Sequence, residues 1–232
     1  MNGGIRAKLE RTARVLLLLA LIFCRLLWVA RAADESVPVH PLDGGFIREW
    51  VVLGPFPSED LGTDFLAEYG GEANVRPQEG DAVAVRDGRK LVWKRYRSNE
   101  DYVMLEHALE SGAHTTAYAY CQVLSEKDGE AEFHFGSEDA SRVWVNGRMV
   151  KEQSDHGGFV FDDSVFRVPL KAGTNACLVR LAQLLTPFQF ALRVLPTNRA
   201  VIKGQVQRRA GRGRGHLVWQ QRRGVPVRRR SV

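Results

Sequence analysis

The sequence predicts an all-β protein built as a β-sandwich, and three observations support this. Short apolar–polar alternations recur between residues 46 and 195, a pattern typical of half-buried strands. Turn-forming residues separate these runs about every eight to twelve residues, as in sandwich folds. The Asn146-Gly147 pair lies between two apolar runs, and this dipeptide favours the tight turn of a β-hairpin with positive φ at both residues.

The predicted elements follow in order along the chain. Strand 46–53 is expected to end at Gly54-Pro55, because proline lacks the backbone donor that strand pairing needs. A short helix is expected to begin after Ser58, whose side chain can cap it, and to end at Gly70-Gly71. Further strands are predicted at 91–96, 102–105, 116–124, 130–135, 142–145, 159–161, 165–170, 176–181 and 188–194.

Several short motifs carry a resemblance to a known family. They are WVVLGPFP at 50–57, VWVNG at 143–147, GGFVFDD at 157–163 and the run LKAGTNACLV at 170–179. The region 46–195 resembles the galactose-binding-like jelly roll of bacterial secreted proteins. It is also similar to the sugar-binding domain of β-galactosidase and β-glucuronidase type glycoside hydrolases. The resemblance implies a jelly-roll fold and brings no catalytic residue with it.

Charge divides the chain into three regions. Residues 1–33 have a net charge of +5, residues 34–198 of −10 and residues 199–232 of +11, with eleven bases and no acid in the last. The whole-chain value of +6 therefore describes the ends and not the body. Nucleic-acid binding by the body is disfavoured, because phosphate contacts need clustered positive charge.

Residues 1–33 are predicted to be a secretory signal peptide. Basic residues precede an apolar segment at 15–23, and Ala30-Arg31-Ala32 is a small-x-small cleavage site. An uncleaved anchor is the alternative, but Arg25 interrupts a segment shorter than the ~20 residues a spanning helix needs. We expect a secreted, periplasmic or envelope protein with no stable membrane insertion after cleavage.

The mature chain would keep two cysteines, Cys121 and Cys177, both on predicted strands. Export permits a disulfide between them, but free cysteine is commonly a small buried apolar residue, so two buried thiols are favoured. No paired cysteine motif with zinc spacing occurs in the sequence.

The candidate carbohydrate-binding residues are Arg142, Trp144 and Asn146. By strand alternation they share one face, while Val143 and Val145 share the other. If the valines face the core, Trp144 points outward beside polar neighbours and could stack on a pyranose ring. The alternative is that the sandwich core absorbs the tryptophan.

Four acids in two loops are candidates for a structural calcium site: Glu138, Asp139, Asp162 and Asp163. Oxygen-rich loops suit this ion, but the spacing matches no defined calcium loop, and acids are ordinary turn formers. No other cofactor is expected. The histidines are scattered, and the adjacent Asp155-His156 does not indicate a catalytic triad, because triads are assembled across a fold.

The tail at 199–232 is predicted to be disordered, or to be the product of a truncation or a frameshift, because its composition cannot build a core. Binding of anionic polymers is the functional alternative. The body is predicted to be one non-catalytic domain, 34–198, that binds carbohydrate or another extracellular partner. The alternatives are a fragment of a secreted glycoside hydrolase without its catalytic domain, and a purely structural spacer.

Overall fold

Two mainly antiparallel sheets pack face to face around a shared core, so the described residues form the predicted β-sandwich. The computed structural model describes residues 37–57, 60–85, 87–155, 157–185 and 187–197. All of these belong to one unit that ends at Thr197. The signal peptide and the basic tail lie outside the described residues, so both, with the domain boundaries they set, stay predictions.

The described residues form thirteen strands, one α-helix and one 3₁₀ helix. The strands are β1 Val39–Pro41, β2 Glu49–Phe56, β3 Ala82–Ala84, β4 Lys90–Val92, β5 Lys94–Arg97, β6 Val103–Met104, β7 Thr115–Ser125, β8 Gly129–Ser137, β9 Ala140–Val145, β10 Arg148–Gln153, β11 Ser164–Leu170, β12 Gly173–Gln183 and β13 Gln189–Pro196. The α-helix is α1 Leu105–Leu109, and the 3₁₀ helix is Ala67–Tyr69.

The larger sheet has seven strands in the order β10-β9-β12-β7-β2-β5, and β1 pairs with β7 in parallel. The smaller sheet has four strands in the order β11-β8-β13-β6. A separate hairpin, β3-β4, belongs to neither sheet. Between the two sheets lies the main core, where Trp50 of β2 meets Phe190 of β13 edge to face at 5.1 Å between ring centroids.

The larger sheet is apolar on both faces, and β7 shows this most clearly. Ala119 and Cys121 point into the main core, whereas Tyr118 and Tyr120 point to the outer face, and all four are buried. The outer face can be apolar because the chain between β2 and β5 folds back over it. We call the described part of that connection, residues 60–85 and 87–93, the covering segment.

Cys121 and Cys177 face each other across β7 and β12 as direct register partners. Both are free and fully buried in the main core, which confirms the preference for two buried thiols. Burial raises the pKa of the Cys121 thiol, because an apolar surrounding disfavours the thiolate.

The Asn146-Gly147 turn is confirmed: it joins β9 to β10 with φ of 51° and 83°. The predicted end of β2 at Gly54-Pro55 is wrong, because the strand continues to Phe56 through a register irregularity after Leu53. An irregularity leaves a residue outside the ladder, so a proline there costs no pairing bond.

Three further predictions need correction. The strand predicted at 91–96 is divided at Trp93 into β4 and β5, because Trp93 N and O bond to Asp81 and Gly80 of the covering segment. The helix predicted at 58–69 is reduced, in its described part, to the 3₁₀ helix Ala67–Tyr69. The stretch 159–161 is not a strand but crosses the outer face of β8, where a Cβ on Gly136 would overlap Val160 O.

Candidate functional site

The covering segment is held on the larger sheet by a second apolar cluster. Its own contributions are Leu66, Val75, Val83, Leu91 and Trp93. From the sheet come Val51, Leu53, Phe56, Tyr118, Tyr120, Trp144 and Leu178. Burial of this many large side chains makes the covering segment part of the folded domain and gives it a fixed shape.

A buried ion pair anchors the same segment to the sheet. Arg180 of β12 has no exposed side-chain surface, and its Nη1 donates to Glu72 Oε1 at 2.7 Å. The Tyr118 hydroxyl donates to the same oxygen at 2.7 Å. Burial raises the pKa of Glu72, against the opposing effect of Arg180, because the carboxylate loses its water. Burial likewise raises the pKa of the Tyr118 hydroxyl.

Arg180 also holds the start of the covering segment through backbone carbonyls. Its guanidinium donates to Asp60 O and, at 3.2 Å, to Leu61 O. Arg142 of β9 donates to the same Leu61 O at 2.6 Å. The Arg180 guanidinium lies 5.4 Å from the Phe65 ring centroid, close enough for a cation–π contact. One buried arginine therefore fixes the loop before the 3₁₀ helix.

A half-open pocket of about 450 Å³ lies at this end of the covering segment. It is lined by Phe56, Pro57, Thr63, Asp64, Phe65, Ala67, Glu68, Tyr69, Ala84, Val85 and Asp87. Its volume is within the range of small-molecule sites, roughly 300–1,000 Å³. The combination of aromatic rings with a few polar groups is also typical of such sites.

The three aromatic rings of the pocket are fixed in place. Phe65 stacks on Phe56 of β2 with 4.7 Å between centroids and 22° between planes. Tyr69 is 39% exposed, and its hydroxyl accepts a bond from Ala84 N at 2.7 Å. Because these contacts hold the rings before any ligand arrives, little side-chain freedom would be lost on binding.

Two of the three acids of the pocket are held by backbone donors. Asp64 accepts bonds from Leu66 N at 2.8 Å and from Glu72 N at 3.2 Å. Asp87 accepts from Arg89 N at 3.0 Å and pairs with the Arg89 side chain at 2.7 Å. The pKa of Asp87 is lowered by these bonds to Arg89, the backbone donor first. Asp87 therefore stays ionised as an acceptor, and the Asp64 carboxylate is held in place by its two backbone donors.

The structure places two of the predicted sugar-binding residues, Arg142 and Trp144, under the covering segment. Trp144 lies on the face opposite Val143 and Val145, as predicted, but it is only 6% exposed because it packs in the second apolar cluster. Arg142 is bonded to Leu61 O and to Glu152. A pyranose therefore has no open ring face at Trp144, and the sugar-binding role of this group stays an untested prediction.

The side chain of Asn146, the third predicted sugar-binding residue, forms hydrogen bonds that hold the β9–β10 turn in place. Its side-chain amide donates to Asn175 Oδ1 at 2.8 Å, and its oxygen accepts from Ala176 N at 2.9 Å. These bonds tie the β9–β10 turn to β12. The position of Asn146 is thus explained by hairpin structure without a ligand.

Three of the four calcium candidates bind separate partners, and the fourth is exposed. Glu138 accepts bonds from Phe159 N and the Gln189 side chain, both at 3.0 Å. Asp139 accepts from Leu184 N at 3.1 Å. Asp162 pairs with Arg193 and lies 3.7 Å from His134 Nδ1, and Asp163 is exposed.

Among the described residues, no three His, Cys, Asp or Glu side chains lie close enough together to hold a metal ion. The four acids are therefore not gathered into a calcium site here, because each of the three bonded ones serves a different part of the chain.

Sequence reasoning missed the pocket residues Phe65, Glu68 and Tyr69. They lie in a stretch expected to be a helix, where aromatic residues four apart ordinarily indicate a core-facing stripe. The available signal was the mixture of aromatic and acidic residues in TDFLAEYGG, 63–71. The position of this segment across the outer face of the larger sheet has no local signal.

No protein-family model matches the chain, and no curated protein matches it. Solved structures match parts of the chain distantly. A β-glucosidase from Kluyveromyces marxianus matches with a TM-score of 0.40 and 14% identity, over 57% of this chain and 17% of that chain.

Two smaller neighbours match as distantly. A family 35 carbohydrate binding module from Clostridium thermocellum matches with a TM-score of 0.27 and 18% identity, over 34% of this chain and 69% of that one. An anti-sigma factor domain-containing protein from Clostridium clariflavum matches with a TM-score of 0.32 and 11% identity, over 68% of this chain and 43% of that one. Likeness this distant assigns neither a ligand nor an activity.

Within the part of the chain that the structure describes, no helix has the length and apolar character needed to span a bilayer.

Proposed function

We propose that this chain is an exported, non-catalytic module of the galactose-binding-like jelly-roll type, and that it binds carbohydrate in the pocket on its covering segment. The observation that carries the proposal is the pocket itself. Fixed aromatic rings and carboxylate oxygens converge there in a half-open volume of about 450 Å³.

A sugar fits this combination of groups because a pyranose is amphipathic. Its C–H face packs against an aromatic ring, and its hydroxyls donate hydrogen bonds to acceptors. Tyr69 supplies an exposed ring, and Asp64 and Glu68 supply acceptors beside it. The half-open shape would admit one or two residues of a longer glycan while its ends stay in solvent.

Binding without hydrolysis is proposed because two of the three described acids of the pocket have structural uses. Asp64 accepts two backbone N–H groups, and Asp87 accepts one and pairs with Arg89. A glycosidase needs one carboxyl group held protonated as the general acid and a second placed across the scissile bond. The bonds from Arg89 lower the pKa of Asp87 and favour its ionised form, which suits it as an acceptor for sugar hydroxyls.

The proposal is tested by glycan binding of the full chain and of variants at Tyr69. An array of uncharged and amino glycans at physiological salt limits adhesion through the basic tail. Tyr69→Ala should weaken binding of any captured glycan by about tenfold, since stacking on one ring contributes roughly 1–1.5 kcal/mol. Tyr69→Phe, which keeps the ring, should retain most of the affinity.

Phe161→Ala is the matched control, because Phe161 is an exposed aromatic residue of the other sheet's outer face. This variant should bind glycans as the unchanged chain does. Capture of no glycan, or capture that is indifferent to Tyr69→Ala, would reject the pocket as a carbohydrate site. Release of new reducing ends from a bound glycan would reject the non-catalytic part of the proposal.

A further inference from the structure

The charge of the pocket indicates which class of sugar it prefers, an inference that rests on the proposed carbohydrate function. The described lining contains Asp64, Glu68 and Asp87, and no lysine, arginine or histidine among its described members. Asp87 is paired with Arg89. Among the described lining residues, the negative charge without such a pair therefore comes from Asp64 and Glu68.

These two carboxylates remain available for a cation. Asp64 is bonded to the backbone N–H groups of Leu66 and Glu72 and has no ion pair with any cationic side chain among the described residues. Glu68 is exposed on the 3₁₀ helix directly before Tyr69 and forms no side-chain bond to another described residue. Both lie in the wall that also carries the Phe65 and Tyr69 rings.

The aromatic rings add to the same preference. The face of an aromatic ring attracts a cation within about 6 Å. The Phe65 ring already lies 5.4 Å from the Arg180 guanidinium beneath the pocket, whereas Tyr69 is open to solvent. A protonated amine entering beside Tyr69 would therefore meet a ring and a carboxylate together.

The acidic body has the same charge preference as the pocket. Residues 34–198 have a net charge of −10, whereas residues 199–232 contribute +11. Long-range attraction to the body therefore also favours cationic ligands. Only a change at Glu68 itself separates the contribution of the pocket from that of the body as a whole.

We propose that the pocket prefers an amino sugar with a protonated amine over the same sugar with the amine acetylated, and that it rejects uronic acids. The amine would replace one hydroxyl donor with a charged donor facing Glu68, and the pyranose face would lie on Tyr69. Hydrogen bonds between charged partners are roughly twice as strong as neutral ones.

The test compares two ligands that share one backbone. Oligomers of glucosamine and of N-acetylglucosamine, of equal length, are titrated calorimetrically into the full chain at mildly acidic pH, where the free amine is protonated. The glucosamine oligomer should bind about three- to tenfold more tightly, because exposed charge pairs contribute only modestly. Its advantage should shrink as salt is added. Oligogalacturonate serves as the anionic ligand.

Glu68→Gln is the decisive variant, since it removes the charge and keeps the shape. It should reduce the advantage of the glucosamine oligomer about threefold and leave the N-acetylglucosamine affinity unchanged. Glu126→Gln is the matched control, because Glu126 is an exposed acid in the β7–β8 turn, outside the pocket. It should change neither affinity.

The outcomes separate the two proposals. Equal affinity for the two oligomers, with both lost in Tyr69→Ala, would overturn the amine preference and keep the carbohydrate site. A glucosamine advantage that survives Glu68→Gln unchanged would also overturn it. Failure of every oligomer to bind in a Tyr69-dependent way would remove the carbohydrate function itself. Tyr69-dependent binding of oligogalacturonate would contradict the charge argument.

Discussion

Gly147 shows how one residue serves both the hairpin and the covering segment. Its φ of 83° is in the left-handed region, and a Cβ there would lie 2.5 Å from Ala73 O of the covering segment. Any other residue at this position would meet two costs, an unfavourable backbone conformation and a collision. The glycine of the turn therefore allows the covering segment to approach the sheet.

We expect Gly147→Ala to lower the free energy of unfolding by about 3 kcal/mol, of which the positive φ alone would account for about 1 kcal/mol. Gly88→Ala isolates that smaller part, because Gly88 has the same φ of 83° and nothing within 4 Å of its Cβ position. Chemical denaturation of both variants measures the difference. Equal losses would show that the backbone at Ala73 yields at little cost.

Glu72 and Arg180 form an ion pair that is removed from water. We expect Glu72→Gln to destabilise the domain by about 3 kcal/mol or more, because it leaves Arg180 as an uncompensated buried charge. Glu49→Gln is the matched control, since Glu49 pairs with Arg95 at 2.8 Å but in contact with solvent. Its loss should stay below about 1 kcal/mol. Similar midpoint shifts in both variants would contradict the argument.

At the scale of single elements, β1 makes the fold sensitive to pH through His40. His40 Nε2 lies 2.8 Å from Glu49 O, and burial lowers the pKa of the imidazole from its usual 6.5, outweighing the opposing hydrogen bond. The unfolded chain then takes up a proton at higher pH than the folded one. Stability is therefore complete above pH 6.5 and lost as the pH falls through the folded pKa.

We expect the free energy of unfolding to fall more steeply with decreasing pH in the unchanged chain than in His40→Gln, across the interval just below 6.5. Denaturant titrations at a series of pH values measure both slopes. Identical slopes would mean that the histidine is protonated as readily in the fold as in the unfolded chain.

The paired strands β7 and β12 enclose two thiols that we expect to be unreactive. Cys121 and Cys177 are fully buried, and the raised pKa of Cys121 keeps it as the thiol, whereas the thiolate is the reactive form. In a full chain whose third cysteine, Cys24 of the predicted signal peptide, is replaced by serine, a thiol reagent should label neither buried residue until denaturant is added, and both thereafter. Rapid labelling of the folded chain would indicate local opening of the larger sheet.

Local sequence patterns predicted individual elements well where the element depends only on neighbouring residues. The alternation of 116–124 and the Asn146-Gly147 dipeptide matched β7 and the β9–β10 turn, because period and turn conformation depend on adjacent residues. The division at Trp93 and the short α1 were missed. The first depends on backbone bonds to distant residues, and the second is too short to have a period of its own.

At the scale of the whole molecule, the structure differs from the sequence prediction because both faces of the larger sheet are buried. Alternation correctly separated Trp144 from its flanking valines, but it could not show that the outer face is also covered. That depends on a connection of about 35 residues folding back on the sheet, which is a long-range contact without a local signature. For the same reason, the candidate site in the structure is the pocket on the covering segment, whereas the sequence had suggested residues of β9 and its turn.

Charge at the same scale gives the last prediction. The region 34–198 has a net charge of −10, whereas 199–232 has +11, so binding of heparin or nucleic acid by the full chain should come from the tail. Such binding should weaken steeply with added salt and vanish when 199–232 is deleted, because it rests on released counterions.

Tyr69-dependent glycan binding should persist in the same deletion, since every described residue that lines the pocket lies before residue 88. Heparin affinity chromatography and calorimetry with the glucosamine oligomer measure the two activities on one pair of proteins. A truncated chain that still binds heparin at physiological salt would place a basic surface on the acidic body, where the charge count predicts none. Loss of both activities together would show that the tail is needed for the pocket, contrary to this division of charge.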